Sequence, residues 1–432
     1  MKENTFDELS SSPGPARTPT SAGSGPKSTG SEAPSGSWSI PRRFVVLDAW
    51  RGIAALWVAA YHFRVMGHIT ETRLIRSGPI AVDFFFVLSG FVIWHGFGGK
   101  LRDRTSRVQF LIRRFGRLYP LHLVTLGLVI AMELARYMVA LGHGFAGTAP
   151  FTGDRDWRLI PANLFLVHGL GIIPRFSWNV PSWSISVEFA LCFLLVGISL
   201  LRRPLAAAAL LAVSGMAALL LIPILASDLN ETSTALARGV SGFFLGILIR
   251  ESYEHIRGWT PNVWFEISAV FAIFGSIYLG YPGVILAFGY AVWIFGFETG
   301  GLSRALKHPA LVRQGDLSYS IYLTHYPLVL ITFAVAGVLG LVPKTGKLII
   351  TGVPPLAADG LLLLFLALVL VVSRITYRWI ETPARLYFNK RASSYADPRA
   401  TRALGAASIG QTGTTDPRTS APLPSSMPAS SE

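Results

Sequence analysis

At 432 residues, with 51% hydrophobic and 14% charged side chains, the chain lies outside the composition of soluble domains, where about a quarter of residues are charged, and reads as a polytopic membrane protein. Its net charge of +14 does not mark a nucleic-acid partner, because the basic residues collect between hydrophobic runs, the positive-inside pattern of membrane loops. The single Cys192 lies within an apolar run, which excludes a disulfide framework and a cysteine-based metal site.

Residues 1–43 are polar and rich in Ser, Pro and Gly, carry no signal-peptide pattern, and are expected to form a disordered cytoplasmic tail. Ten candidate spans follow by apolar run length, near 46–66, 79–98, 118–141, 182–201, 204–225, 235–250, 262–279, 282–297, 316–340 and 356–380. Residues 44–388 are thus expected to be all-α, a polytopic transmembrane helix bundle of about ten spans, with 389–432 a second disordered cytoplasmic tail. Basic residues favour every second connection. Arg42 and Arg43 precede the first span, a run from Lys100 to Arg117 follows the second, and Arg202 and Arg203 follow the fourth. Arg250 and Arg257 follow the sixth, Arg304, Lys307 and Arg313 the eighth, and Arg374 to Arg391 close the tenth. On the opposite side Asp154 and Asp156 offset Arg155 and Arg158, and Asp228 and Glu231 offset Arg238; Lys344 and Lys347 dissent. The alternation is expected to place both termini in the cytoplasm. The longest outer connection, 142–181, is expected to be functional, its Asn163–Val167 stretch lying along the interface or re-entering.

Ionisable residues at membrane depth are costly and therefore point to function. Arg51 and His62 interrupt the first span. Eleven residues of helix rise roughly 16 Å in about three turns, so both lie on one face at opposite depths. The topology puts Arg51 near the cytoplasmic face and His62 in the outer half. Asp83 on the second span and Glu188 on the fourth fall at a depth similar to His62, and His325 falls mid-membrane on the ninth. On the inner side Arg113, Arg114 and Arg117 precede the third span, and the latter two, three apart, are neighbours on a helix face. An arginine fork suits phosphate oxygens, while the plainer reading is an anchor to lipid headgroups. Each of the others has a plain reading too. His62 could be a core histidine bonded across helices, Asp83 and Glu188 could be paired structural charges, and His325 could cap a kink near Pro327. Ser182, Ser184 and Ser186, next to Trp183, could line a polar pocket, although helix starts favour serine anyway. No metal spacing, Walker loop or dinucleotide fingerprint is present.

Taken together, these segments resemble the acyltransferase-3 family of membrane acyltransferases. Arg51 to His62 is similar to its Arg/Lys-ten residues-His signature, Asp83-Phe84-Phe85-Phe86-Val87-Leu88-Ser89-Gly90 to its second-span motif, and Arg113 to Pro120 to its arginine-rich loop. Pro181-Ser182-Trp183-Ser184-Ile185-Ser186-Val187-Glu188, Ser318-Tyr319-Ser320-Ile321-Tyr322-Leu323-Thr324-His325 and Trp379-Ile380-Glu381-Thr382-Pro383 also fit, in order. The resemblance covers about residues 44 to 388. It implies transfer of an acyl group, commonly acetyl, from acyl-CoA to a carbohydrate or glycolipid hydroxyl, with no permanently bound cofactor and no metal. Some members carry a further periplasmic esterase-like domain, which is not expected here because the segment after the last span is short and polar.

On that reading the CoA phosphates meet Arg51, Arg114, Arg117 and their neighbour Arg113, and the pantetheine arm rises to His62. His62 serves either as general base or as a nucleophile carrying the acyl group; Glu188 or Asp83 orients it, as the third member of a triad does. Tyr322, His325, Ser182, Trp183 and Ser184 are expected in supporting or acceptor-side positions. The rival reading is a transporter or flippase whose intramembrane His, Asp and Glu form a substrate or proton path.

Overall fold

The computed structural model describes residues 43–143, 149–225, 232–279, 283–341 and 349–395. The expected polar tails up to Arg42 and beyond 395 lie outside them, as do Asp228, Glu231, Lys344 and Lys347. Among the described residues the chain is helical and holds no strand. Its helices are α1 (Val45–His62), α2 (Arg73–Arg76), α3 (Ala81–Phe97), α4 (Arg104–His143), α5 (Ile160–Leu164), α6 (Trp183–Ile198) and α7 (Pro204–Leu225). There follow α8 (Ala235–His255), α9 (Val263–Leu279), α10 (Gly283–Phe295), α11 (Gly301–Leu306), α12 (Pro309–Val338), α13 (Pro355–Thr376) and α14 (Thr382–Ser393). Each expected span is occupied by one of them. Six stretches among the described residues are long and apolar enough to cross a membrane: Gly78–Phe97, Arg104–Gly142, Val180–Ile198, Pro204–Ile222, Pro309–Val338 and Pro355–Ser393. Val263–Tyr278 and Gly283–Phe295 are apolar but shorter. The chain is a multi-pass helical membrane protein.

Lipid supplies no hydrophobic drive between helices, so close backbone approach has to be built from small residues. Two crossings show this. On α1, a Cβ added at Gly52 would stand 2.7 Å from the Gln314 backbone of α12, and one at Gly315 would strike the Asp48 carbonyl. Where α3 crosses α8, a side chain at Gly90 would collide with the Phe243 carbonyl, and one at Gly246 with that of Val87. Gly90→Val should therefore force the two backbones apart and cost at least about 1–3 kcal/mol, the range for overpacking. Thermal unfolding in detergent measures this, and an unchanged transition would contradict the crossing.

Helix α1 packs chiefly along α12, and the two run parallel. Gly52 meets Gly315's neighbour Gln314 at one level, and His62 meets His325 ten residues further along both helices. That shared register carries chemistry, because it brings two distant histidines to one depth. Pro327 also matters within α12. A proline inside a helix has no N–H to give, so the carbonyl four residues back loses its partner. That carbonyl is Leu323's, and Asn179 Nδ2 donates to it at 3.1 Å.

The connection between α4 and α6 is pinned to the bundle by polar side chains. Glu133, nearly fully buried, accepts from Arg136, from Arg155 at 2.9 Å and from the Phe151 N–H at 3.0 Å. The expected interfacial or re-entrant stretch takes the form of the five-residue α5 and a turn: Asn163 is buried, its carbonyl accepting from His122 Nε2 at 3.0 Å. Helix α14 runs through Asn389–Ser393, and the Phe388 ring packs against Gly116 and Phe115 of α4.

Candidate active site

Arg51 of α1, Arg114 and Arg117 of α4, Ser89 of α3, Ser184 and Glu188 of α6, and Ser318, Tyr319 and Tyr322 of α12 line one cavity of about 210 Å³. Phe85, Phe86, Leu88, Val92 and Ile93 make its apolar wall. The charges in it are unevenly paired. Arg114 forms an ion pair with Glu188, which also accepts from Ser89 Oγ at 3.1 Å. Arg51 reaches back one turn to Asp48 at 3.1 Å. Arg117 makes no hydrogen bond or ion pair with any described residue, and the Arg114 Nε, buried, has no partner. Glu381 lies within electrostatic range of Arg117 and Arg51, held by Ser320 Oγ, which donates to it at 2.8 Å. It sits at the end of a π-helical turn, Tyr377–Glu381, just before Pro383. Three arginines thus line the cavity beside one carboxylate, Glu188, and a second, Glu381, acts electrostatically on two of them. A partly buried guanidinium without a partner is a site for an anion with planar or phosphate oxygens.

Arg113 does not join this group. Adjacent helix residues point about 100° apart, so Arg114 and Arg117 share the inner face while Arg113 turns away. Its Nη2 reaches Ser393 of α14 at 3.3 Å.

At the far end of α1 the His62 and His325 rings are in contact, His62 Nδ1 to His325 Nε2 at 3.2 Å. Each Nδ1 also faces a carbonyl of its own helix: His62 that of Val58 at 2.9 Å, His325 that of Ile321 at 3.1 Å. Carbonyl oxygens accept and never donate, so the network assigns the proton of each neutral ring to Nδ1. His325 Nε2 is then the acceptor for His62. The lone pair on His62 Nε2 is left over, with no hydrogen-bond partner among the described residues. A half-buried imidazole with a free Nε2 is equipped to take a proton.

Neither expected carboxylate orients His62. Asp83 is fully buried and grips Arg238 of α8 through two hydrogen bonds, 3.0 and 2.9 Å, while Arg238 also donates to the Pro79 carbonyl. Glu188 belongs to the arginine cavity. The partner of His62 is His325, which residue order alone could not select. Nor do the two histidines line the cavity itself. Tyr322 stands between, its ring centroid 6.0 Å from that of His325 and its hydroxyl donating to the Pro181 carbonyl at 2.8 Å. Ser184 joins the same hydroxyl at 2.8 Å.

The other expected supporting residues divide. Trp183 carries Arg238 over its ring at 5.0 Å and stacks on Phe176, so it braces the Asp83 pair. Ser182 Oγ and His168 Nε2 lie 3.0 Å apart, tying the α4–α6 connection to α6. Burial, and then the neighbouring His122, pushes the His168 imidazole down to about 3, so it stays neutral. Reading the sequence gave no site role to Arg238, nor to Ser89, Ser318 and Glu381, although these three stand in segments that carry the resemblance. Depth could have found Arg238, which lies on a helix at the level of Asp83; the hydroxyls carry no signal of their own. Among the described residues no group of three or more metal-ligating side chains gathers.

An acyltransferase domain family matches residues 44–378. The chain is 28% identical to acyltransferase MdmB of Streptomyces mycarofaciens over 337 residues, covering 67% of this chain and 81% of that protein. It is 28% identical to the exopolysaccharide production protein ExoZ of Rhizobium meliloti over 296 residues, 64% of this chain and 81% of that one. Against the peptidoglycan O-acetyltransferase OatA of Listeria monocytogenes, identity is 24% over 378 residues, 78% of this chain and 55% of that one. No solved structure matches the chain at a significant level.

Proposed function

Because the chain belongs to the acyltransferase domain family over residues 44–378, and is therefore a membrane O-acyltransferase, we propose that its donor is an acyl-CoA, held from the cytoplasmic side, and its acceptor a hydroxyl of a cell-envelope or secreted carbohydrate or glycolipid. The observation that carries this reading is the unused Nε2 of His62, set on the same helix as Arg51 and level with the far end of the arginine-lined cavity. Relatives named for exopolysaccharide production and peptidoglycan O-acetylation support the carbohydrate class.

Chemically, the acceptor O–H gives its proton to His62 Nε2 as the oxygen attacks the thioester carbonyl. The C–S bond then breaks, and the leaving thiolate takes that proton, giving the ester and free CoA. His325 Nε2 and the Val58 carbonyl both accept from His62 Nδ1 and support the imidazolium that forms between the two transfers. General-base assistance of this kind contributes about 10²–10⁴-fold. Arg51, Arg114 and Arg117 hold the donor's phosphates, and the thioester arm rises past Tyr322. With the termini in the cytoplasm, as the positive-inside pattern has it, the acceptor meets His62 from the outer side of a bacterial inner membrane.

Purified protein given radiolabelled acetyl-CoA and envelope glycan should place label on the glycan; label that merely crosses a vesicle membrane unchanged would favour transport instead. Arg117→Ala should raise the KM for acetyl-CoA about tenfold or more, the worth of a charge-assisted contact, and a KM equal to the parent's would remove Arg117 from the donor site.

A further inference from the structure

One hydroxyl in the cavity differs from those that bond their own helix. In a helix interior, Ser and Thr normally bond the carbonyl one turn back. Thr324 does so with Ser320 at 2.7 Å, Thr332 with Leu328 at 2.9 Å, Ser241 with Ala237 at 2.7 Å and Thr125 with Leu121 at 3.1 Å. Ser318, on α12 with Thr324 and Thr332, does not. It is 1% exposed, its Oγ has no hydrogen-bond partner, and it lines the cavity. A buried polar atom left unmade costs about 1–3 kcal/mol, so an orphan turned into a cavity is one whose partner arrives with a ligand.

Its depth says which part of the ligand. Arg51 sits beside Gly52, which meets α12 at Gln314 and Gly315. Ser318 is one turn beyond that level, Tyr322 a further turn, and His325, against His62, about 5 Å beyond Tyr322. The hydroxyl therefore stands between the arginine end and the histidine end, facing a wall of Phe85, Leu88 and Ile93. An apolar stretch of wall beside a hydroxyl that has no partner of its own suits a chain of methylenes interrupted by amides. The geometry points to Ser318 as a donor-positioning residue whose hydroxyl binds an amide of the pantetheine arm and so sets how far the thioester travels toward His62. This rests on the donor reading of the cavity.

The test uses the purified full chain and two ligands: CoA, which carries the arm, and adenosine 3′,5′-bisphosphate, which carries phosphates without it. Ser318→Ala should weaken CoA binding and raise the KM for acetyl-CoA about three- to tenfold, the value of one hydrogen bond, with kcat changed less than twofold. Binding of the bisphosphate should not change. Arg117→Ala should weaken both ligands. Ser241→Ala, which removes a back-bonded hydroxyl elsewhere, should alter neither. The ligand-free unfolding temperature of Ser318→Ala should equal or exceed that of the parent, since the lost hydroxyl satisfied nothing; a marked fall would make Ser318 a structural residue and overturn the proposal. Unchanged CoA affinity in Ser318→Ala, or equal losses for CoA and the bisphosphate, would overturn it while leaving the donor site intact. If Arg117→Ala also left both ligands unaffected, the donor reading itself would fall.

Discussion

Replacing His62 by Ala is expected to abolish acyl transfer, by at least the roughly 10²–10⁴-fold attributable to a general base, while the protein stays in the membrane. The geometry predicts both halves of that result. His62 lies at the last turn of α1, half-buried, and no described residue depends on its Nε2. Truncating it leaves His325 bonded to the Ile321 carbonyl of its own helix, so the local backbone keeps its partners. The same network separates base from positioning residue. His325→Ala removes one acceptor for His62 Nδ1 but leaves the other, the Val58 carbonyl at 2.9 Å. The tautomer survives, and the loss should be smaller than for His62→Ala. Radiolabelled transfer to glycan, measured beside the amount of folded protein extracted, reads both. A His62→Ala enzyme that still acylates would sink the assignment, and equal losses for the two variants would show that His325 is more than an acceptor.

The residues that could be read from the sequence are those whose cost in lipid is visible one at a time. Arg51, His62, Asp83, Glu188 and His325 stand out against apolar neighbours, and helical spacing joins Arg114 with Arg117. Partnership was harder to see, since it depends on register between segments far apart in the chain. His62 and His325 meet because α1 and α12 run parallel from the Gly52–Gly315 crossing, ten residues on each side. Nothing in either segment announces that match. Shared depth suggested that Asp83 and Glu188 would turn to His62, yet depth does not specify the face of the bundle. Each carboxylate instead took a neighbouring arginine, which neutralises it more completely than an imidazole would. By charge balance alone Arg238 reads as a loop residue offsetting Asp228 and Glu231, whereas it lies in the first turn of α8 and reaches α3. Arg113 turns to Ser393 for a local reason, the 100° step between adjacent helix residues.

Asp83 provides the sharpest separation between structural and chemical roles. Its carboxylate is fully buried, and both oxygens accept from Arg238, whose guanidinium also bonds the Pro79 carbonyl and lies over the Trp183 ring. Removing one member of a buried pair strands the other charge and costs about 3–5 kcal/mol. Asp83→Ala should therefore lose most of its folded yield and unfold at a much lower temperature in detergent, and activity should fall with the amount of folded protein. The double variant Asp83→Leu with Arg238→Met removes both charges and fills the space with apolar side chains of similar size, a change that is often neutral or stabilising for buried pairs. It should recover the unfolding temperature. Because no step of the proposed chemistry uses Asp83, it should also recover transfer per folded molecule to within about tenfold, with the remainder set by how well α3 and α8 hold the helices around the cavity. A double variant that folds like the parent but transfers no acyl group would return Asp83 to the chemistry, and would require a route from its carboxylate to His62 that the Arg238 pair closes in this structure.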